Sequence, residues 1–232
     1  MRTNLRSQVF CIFVPPFFLI DMTTRKKSPI VIPEGLTEVL LHACCAPCSS
    51  AIVEWMLQNG VRPVVFYFNP NIFPQKEYEI RKQESMRHAE SLGLRWIDGD
   101  YDHAQWLQAV KGLEREPERG LRCETCFTYR LTATALQARQ IGMRYFTTTL
   151  ASSRWKSIEQ IERAGKRAEE AVGGVTYWAQ NWRKGGLSDR RNVLLKEYGF
   201  YNQQYCGCEF SMRPTASSHC PLLQDTTNPT EE

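Results

Sequence analysis

Short apolar and β-branched runs alternate with helical patterns along most of this chain, and few folds satisfy that alternation. Val39-Leu40-Leu41-His42 reads as a strand, followed by a helix over residues 51–57, capped by Ser49 or Ser50 and stopped at Asn59-Gly60. Residues 64–68 form a second strand, rich in β-branched and aromatic side chains, ending at Asn69-Pro70-Asn71. A polar helix covers residues 75–91 and is closed by Gly93, and a third strand covers 94–97. The pattern continues with a helix at 104–110, an arginine-rich loop and a helix at 125–140. It ends with a fourth strand at 145–150 and an amphipathic helix at 157–171. Strands separated by helices pair in parallel, so the expected class is α/β: a Rossmann-like parallel sheet with flanking helices. Ligands of such sheets bind beyond the carboxyl ends of the strands.

The 232 residues suit one domain, and 42% hydrophobic with 23% charged residues are the proportions of a globular chain. That domain is expected over residues 36–212, after an N-terminal extension at 1–35 and before a disordered Pro-, Ser- and Thr-rich tail at 213–232. Residues 9–20 superficially resemble a signal peptide behind Arg2 and Arg6. Pro15-Pro16 interrupts the run, no small-residue cleavage site follows, and the run is too short to span a bilayer. A dispensable extension, or translation from Met22, accounts for it better. No other stretch can cross a membrane, and a cytoplasmic location suits free thiols.

Seven of the nine cysteines fall in three clusters: Cys44, Cys45 and Cys48; Cys123 and Cys126; Cys206 and Cys208. The first follows strand one directly, at the expected ligand edge of the sheet. The Asn69-Pro70-Asn71 turn and the loop at 148–153 share that edge. Closely spaced thiolates suit an iron–sulfur centre, because they reach neighbouring irons of one cluster. Disulfide frameworks belong to small secreted domains. A closed zinc site uses four ligands and leaves three of the seven over. A [4Fe–4S] cluster also needs only three or four thiolates, so the rest hold a second iron, form a redox dithiol, or are simply buried. Cys44 and Cys45 are expected to face opposite sides of an extended chain, and Cys206 and Cys208 the same side across Gly207. Cys11 and Cys220 lie outside the expected domain.

The net charge of +4 permits nucleic-acid binding without arguing for it. The distribution is more informative: Arg115, Arg119 and Arg122 precede the second cysteine pair, and Arg183, Lys184, Arg190, Arg191 and Lys196 precede the third. Cations flanking a redox site suit a polyanion such as RNA.

His42-Ala43-Cys44-Cys45-Ala46-Pro47-Cys48, the turn at residues 69–74 with Glu77, Tyr78 and Arg81, the Cys123/Cys126 pair and residues 201–208 together resemble the non-cobalamin epoxyqueuosine reductase family, the QueH type. The resemblance covers about residues 36–212. It implies a cytoplasmic iron–sulfur oxidoreductase that reduces epoxyqueuosine to queuosine at the wobble position of tRNA, the last step of queuosine biosynthesis, with a separate electron donor. Carried over residue by residue, it reaches the seven clustered cysteines as metal ligands and the Asn-Pro-Asn turn. The loop at 151–156 lacks a proline expected there. The chemistry needs a proton donor, for which Tyr205, His42 and Asp100 are candidates. Asn69, Asn71, Tyr78 and Arg81 are candidates for holding the nucleoside, Tyr78 as a stacking face. Arg183, Lys184, Arg190 and Arg191 are candidates for anticodon-arm phosphates.

Two alternatives belong to other classes. A sulfur-inserting tRNA enzyme of the ATP-pyrophosphatase type needs a glycine-rich phosphate loop after strand one, where this chain has Ala43-Cys44-Cys45-Ala46-Pro47. A zinc-binding RNA module needs no redox chemistry.

Overall fold

The computed structural model describes residues 30–212. The expected signal-like run, the alternative start at Met22, the C-terminal tail, Cys11 and Cys220 all lie outside the described residues. Within the described residues, five strands form one all-parallel sheet: β1 (Glu38–His42), β2 (Arg62–Tyr67), β3 (Trp96–Asp98), β4 (Tyr145–Thr148) and β5 (Thr176–Tyr177). Their order is β3-β2-β1-β4-β5, so the winding reverses between β1 and β4. That reversal opens the crevice in which doubly wound sheets bind ligands. β1 is central, pairing Leu40 with Val64 on one side and with Phe146 on the other. Burial on both faces explains why it reads as an unbroken apolar run.

Among the described residues, six α-helices cover the sheet: α1 (Ala46–Gln58), α2 (Gln75–Ser91), α3 (His103–Ala109), α4 (Leu121–Gln140), α5 (Ile158–Val172) and α6 (Leu187–Glu197). α1 packs with α2 and α6, and α4 packs with α5. Ile30 and Leu36 join the core with Leu41, Ile52, Met56, Leu131, Phe146 and Leu150. Among the described residues, no helix is long and apolar enough to cross a membrane.

Some helix starts differ from the sequence reading. α1 begins at Ala46, with Pro47 in its first turn and Cys45 as the residue before it. Pro47 suits that position because the first-turn N–H groups have no helical partner. Ser49 and Ser50 are therefore inside the helix, where their hydroxyls donate back to Cys45 O and Pro47 O at 3.1 and 3.5 Å. α4 starts at Leu121, so Cys123 and Cys126 ride on its first turns and not on the preceding loop. β5 and α6 lie outside the elements that the sequence pattern predicts.

α5 turns a small-residue face, Ala164, Gly165 and Ala168, into the core. A Cβ on Gly165 would lie 2.2 Å from Tyr177 Cε1, on the β5 ring that fills the space. Alanine there gains about 1 kcal/mol of helix propensity, yet overpacking costs roughly 1–3 kcal/mol. Gly165→Ala should therefore lower Tm by a few degrees, and a raised Tm in thermal unfolding would refute the close packing.

Candidate metal centre and its cavity

The first thiol group is built where β1 runs into α1. The Cys44 N–H donates to Thr149 Oγ1 at 3.2 Å, and the Thr149 hydroxyl lies 3.4 Å from Cys44 Sγ. These contacts tie the end of β1 to the residue just after β4, at the switch point. The Ala43 N–H donates to Phe66 O at 2.9 Å, and Asn69 Nδ2 donates to Ala43 O at 2.9 Å, fixing the other side. The Sγ atoms of Cys44, Cys45 and Cys48 all lie within 4.8 Å of one another, with Cys44 and Cys45 at 3.9 Å. The adjacent pair therefore does not face opposite sides. Alternation holds only within a paired strand, and Cys44 and Cys45 lie between the end of β1 at His42 and the start of α1 at Ala46.

Hydrogen bonds from Cys45 and Cys48 lower the Cys44 pKa well below the usual thiol range. Burial pushes Cys45 up, and the bond that Cys48 gives Cys44 raises Cys48 to about 11. One thiolate is easy to form here and three are not, unless a cation shares the site. Gln203 closes the group from the C-terminal segment, donating from Nε2 to Cys45 Sγ at 3.0 Å and Cys48 Sγ at 3.7 Å.

The second group brings α4 to the C-terminal segment. Cys126 and Cys208 are buried in one cluster with Trp106 and Val110, Cys123 is half-buried, and Cys206 is exposed. Burial raises the pKa of Cys123 and Cys126, and raises Cys208 to about 11. Gly207, at φ 133, turns the chain between Cys206 and Cys208, so these two do not share one face of an extended strand. A Cβ at Gly207 would meet Ile72 Cγ1 at 3.0 Å. Its carbonyl accepts from the Phe73 N–H at 2.8 Å, and Arg81 donates to Tyr205 O and Cys206 O, both at 3.3 Å. All seven clustered cysteines are free thiols.

Both groups face one cavity of about 590 Å³, lined by Cys44, Cys48, Cys123, Cys206 and Cys208. Cys45 and Cys126 are buried behind them. Among the described residues, seven arginines and Lys156 also line it, against one carboxylate, Glu118. Burial works against the Lys156 charge, but the thiolates of Cys206, Cys44 and Cys48 outweigh it and hold the ammonium's pKa up.

The remaining sequence candidates divide. Asn69, Asn71, Arg81 and Tyr205 line the cavity. Asn71 is 2% exposed and its Oδ1 has no partner, whereas Asn69 is spent on Ala43 O and on Arg130. Tyr78 is fully buried among Tyr67, Trp96 and Tyr101, so it offers no stacking face to a ligand. His42 is sealed in the core, bonded to Thr148 Oγ1 and Phe68 O, and burial lowers its pKa to about 3. Asp100 is an exposed turn residue at φ 62, away from the cavity. The Tyr205 hydroxyl donates to Phe73 O.

Of the four basic residues expected at phosphates, Arg191 lines the cavity and Lys184 is exposed outside it. Arg183 lines it too, but its guanidinium is bound to backbone carbonyls. Arg190 pairs with Glu54 of α1 at 2.7 Å. Sequence reading assigned no role to Lys156 or Gln203. The signals were present: Lys156 sits in the loop after β4, and Gln203 is three residues before Cys206.

The sequence model of the family described as epoxyqueuosine reductase QueH matches residues 39–214. The chain belongs to the QueH family. A QueH from Histophilus somni is 47% identical over 189 residues, covering 82% of this chain and 78% of that one. The QueH of Haemophilus influenzae is 45% identical over 187 residues, covering 81% and 76%. That of Acinetobacter baylyi is 43% identical over 192 residues, covering 83% and 88%. The QueH match contains all seven clustered cysteines, and the first three form a group able to hold a metal.

Proposed function

We propose that this protein reduces the epoxide of epoxyqueuosine, carried at the wobble position of tRNA, to the alkene of queuosine. The observation that supports this beyond family membership is the convergence of two thiol groups on one cationic cavity at the switch point of the sheet. The reaction breaks two C–O bonds and forms one C=C π bond. It consumes two electrons and two protons and releases the oxygen as water.

We read the seven thiols as two donor sets, the first of which is compact enough for one ion. Thiolates around one tetrahedral ion lie roughly 3.8 Å apart, given metal–sulfur bonds of about 2.3 Å. The sulfurs of Cys44, Cys45 and Cys48, all within 4.8 Å, approach that spacing. Ligands of a polynuclear cluster bind different irons and spread wider. We assign a single iron to Cys44, Cys45 and Cys48, and a [4Fe–4S] cluster to Cys123, Cys126, Cys206 and Cys208. When bound, the cluster would supply electrons singly and the iron would act as a Lewis acid toward the leaving oxygen.

The chain's own residues do the rest. Asn71 Oδ1 and Gln203 Oε1 are buried acceptors without partners at the cavity wall, ready for hydroxyl or amine donors of the modified base. Lys156 brings an ammonium into the cavity and takes the proton-donor role, since His42 and Asp100 do not reach it and Tyr205 has committed its hydroxyl. The N-terminus of α1, where a nucleotide-binding turn would hold phosphate, is filled by cysteines, which disfavours the ATP-pyrophosphatase reading. A tRNA substrate and free thiols both suit the cytoplasm.

Phosphate contact separates two neighbouring arginines. Arg191→Ala should weaken tRNA binding and reduce the salt slope by about one. Arg190→Ala should leave the slope alone, because its charge is paired with Glu54. Equal slopes for both variants would remove Arg191 from the interface. The function itself is tested by expressing the protein in a bacterium lacking its own epoxyqueuosine reductase. Queuosine should then replace epoxyqueuosine in tRNA nucleosides read by mass spectrometry. Persistence of epoxyqueuosine beside metal-loaded protein would contradict the proposal.

A further inference from the structure

Residues 153–156 carry an exposed tryptophan on tethered backbone. Arg183 Nη2 donates to Ser153 O and Lys156 O, each at 2.5 Å. Arg119 donates to Trp155 O at 2.8 Å and to Arg154 O at 3.1 Å. All four carbonyls of the segment are thus held by two guanidinium groups. Arg119 is itself fixed: Gln160 Nε2 at the start of α5 donates to its carbonyl at 2.8 Å, and its backbone sits at φ 67, a conformation non-glycine residues rarely adopt. On this base Trp155 is 65% exposed at the cavity wall, with the Arg154 guanidinium 5.2 Å from its ring centre.

One exposed apolar side chain is ordinary on a folded surface. Clamping every carbonyl beneath it is not, because ordering a loop costs conformational entropy that an exposed indole does not repay by burial. Pre-organisation of this kind lowers the entropy cost of binding.

We propose that Trp155 is a stacking platform for the unpaired nucleobase adjoining the modified nucleoside. The inference rests on the RNA substrate proposed above and adds a contact outside the reacting base. A nucleoside that enters the cavity must leave its stack, and its neighbour then loses a stacking partner. Aromatic rings beside arginines are the combination that holds single strands without reading sequence. Arg154 and Arg191 at the same cavity supply the charge complement to the intervening phosphates.

The test uses metal-loaded enzyme, a chemical reductant and two substrates: an anticodon stem-loop bearing epoxyqueuosine, and the free nucleoside. Trp155→Ala should weaken stem-loop binding between about 5- and 150-fold, raise KM in step, and leave kcat and free-nucleoside turnover unchanged. Trp155→Phe should recover most of the loss. A 2-aminopurine beside the modified position should be quenched on binding wild-type protein and less so on binding Trp155→Ala.

Unchanged stem-loop affinity in Trp155→Ala would overturn the proposal, as would an equal loss with both substrates. A defect seen only with a protein reductant would also overturn it and give the surface to an electron donor. Affinity is read separately from turnover. Wild-type protein that binds the stem-loop but reduces neither substrate would therefore refute the reaction and still decide the stacking.

Discussion

Replacing Cys45 by alanine should abolish turnover while sparing the visible absorption of an iron–sulfur cluster, whereas replacing Cys123 should remove both. The expectation comes from the division of thiols. Cys45 lies 3.9 Å from Cys44 and belongs to the compact group sized for one ion, and Cys123 belongs to the group assigned above to the cluster. Loss of a Lewis-acid metal worth several kcal/mol should lower kcat by about 10³-fold or more. Iron and sulfide analysis of anaerobically prepared variants measures the outcome. Cys45→Ala should retain a full cubane complement and lose one further iron. Bleaching of Cys45→Ala to the same degree as Cys123→Ala would show that the two groups bind one centre, and a colourless wild type would favour zinc.

The second large effect is expected at Arg81. Its guanidinium forms a buried ion pair with Glu77 at 2.7 Å on α2 and also holds the carbonyls of Tyr205 and Cys206. The Tyr201 hydroxyl donates to the other Glu77 oxygen at 2.8 Å, so one network joins α2 to both ends of the segment bearing the last cysteines. Removing one partner of a buried pair costs roughly 3–5 kcal/mol, since the other charge is stranded. Arg81→Met should therefore lower Tm on the order of 10 °C and weaken metal retention by the Cys206/Cys208 segment. Combining it with Glu77→Leu should recover much of the stability but not the metal retention, because the clamp on the backbone carbonyls stays lost. A single variant with wild-type Tm would show that the pair contributes little.

The sheet and the position of the first cysteine group were legible in the sequence for a simple reason. A parallel strand buried on both faces must be written in apolar residues, and the ligand edge follows from chain direction alone. What the sequence could not show was how side chains leave the backbone where an element ends. Cys44 and Cys45 converge beyond the end of β1, where the alternation of a paired strand no longer holds. β5 has two residues, too few for any pattern. α6 buries only Leu187 and Leu194, and its first turns, with Ser188, Asp189, Arg190 and Arg191, read as a charged loop.

Tyr78 illustrates a different limit. An aromatic residue beside a predicted ligand turn packs or stacks according to neighbours far along the chain, here Tyr67, Trp96 and Tyr101. Charge runs mislead in the same way. Arg190 and Arg191 are adjacent, yet helical geometry aims one at Glu54 and the other at the cavity.

The most direct measurement is a defined reaction: anaerobically metal-loaded protein, tRNA bearing epoxyqueuosine and a strong chemical reductant, with nucleoside mass spectrometry of the product. The account predicts conversion to a nucleoside lighter by one oxygen, with queuosine's mass and retention, dependent on both thiol groups. Full metal loading with the epoxide left intact, or reduction that survives loss of either group, would contradict it.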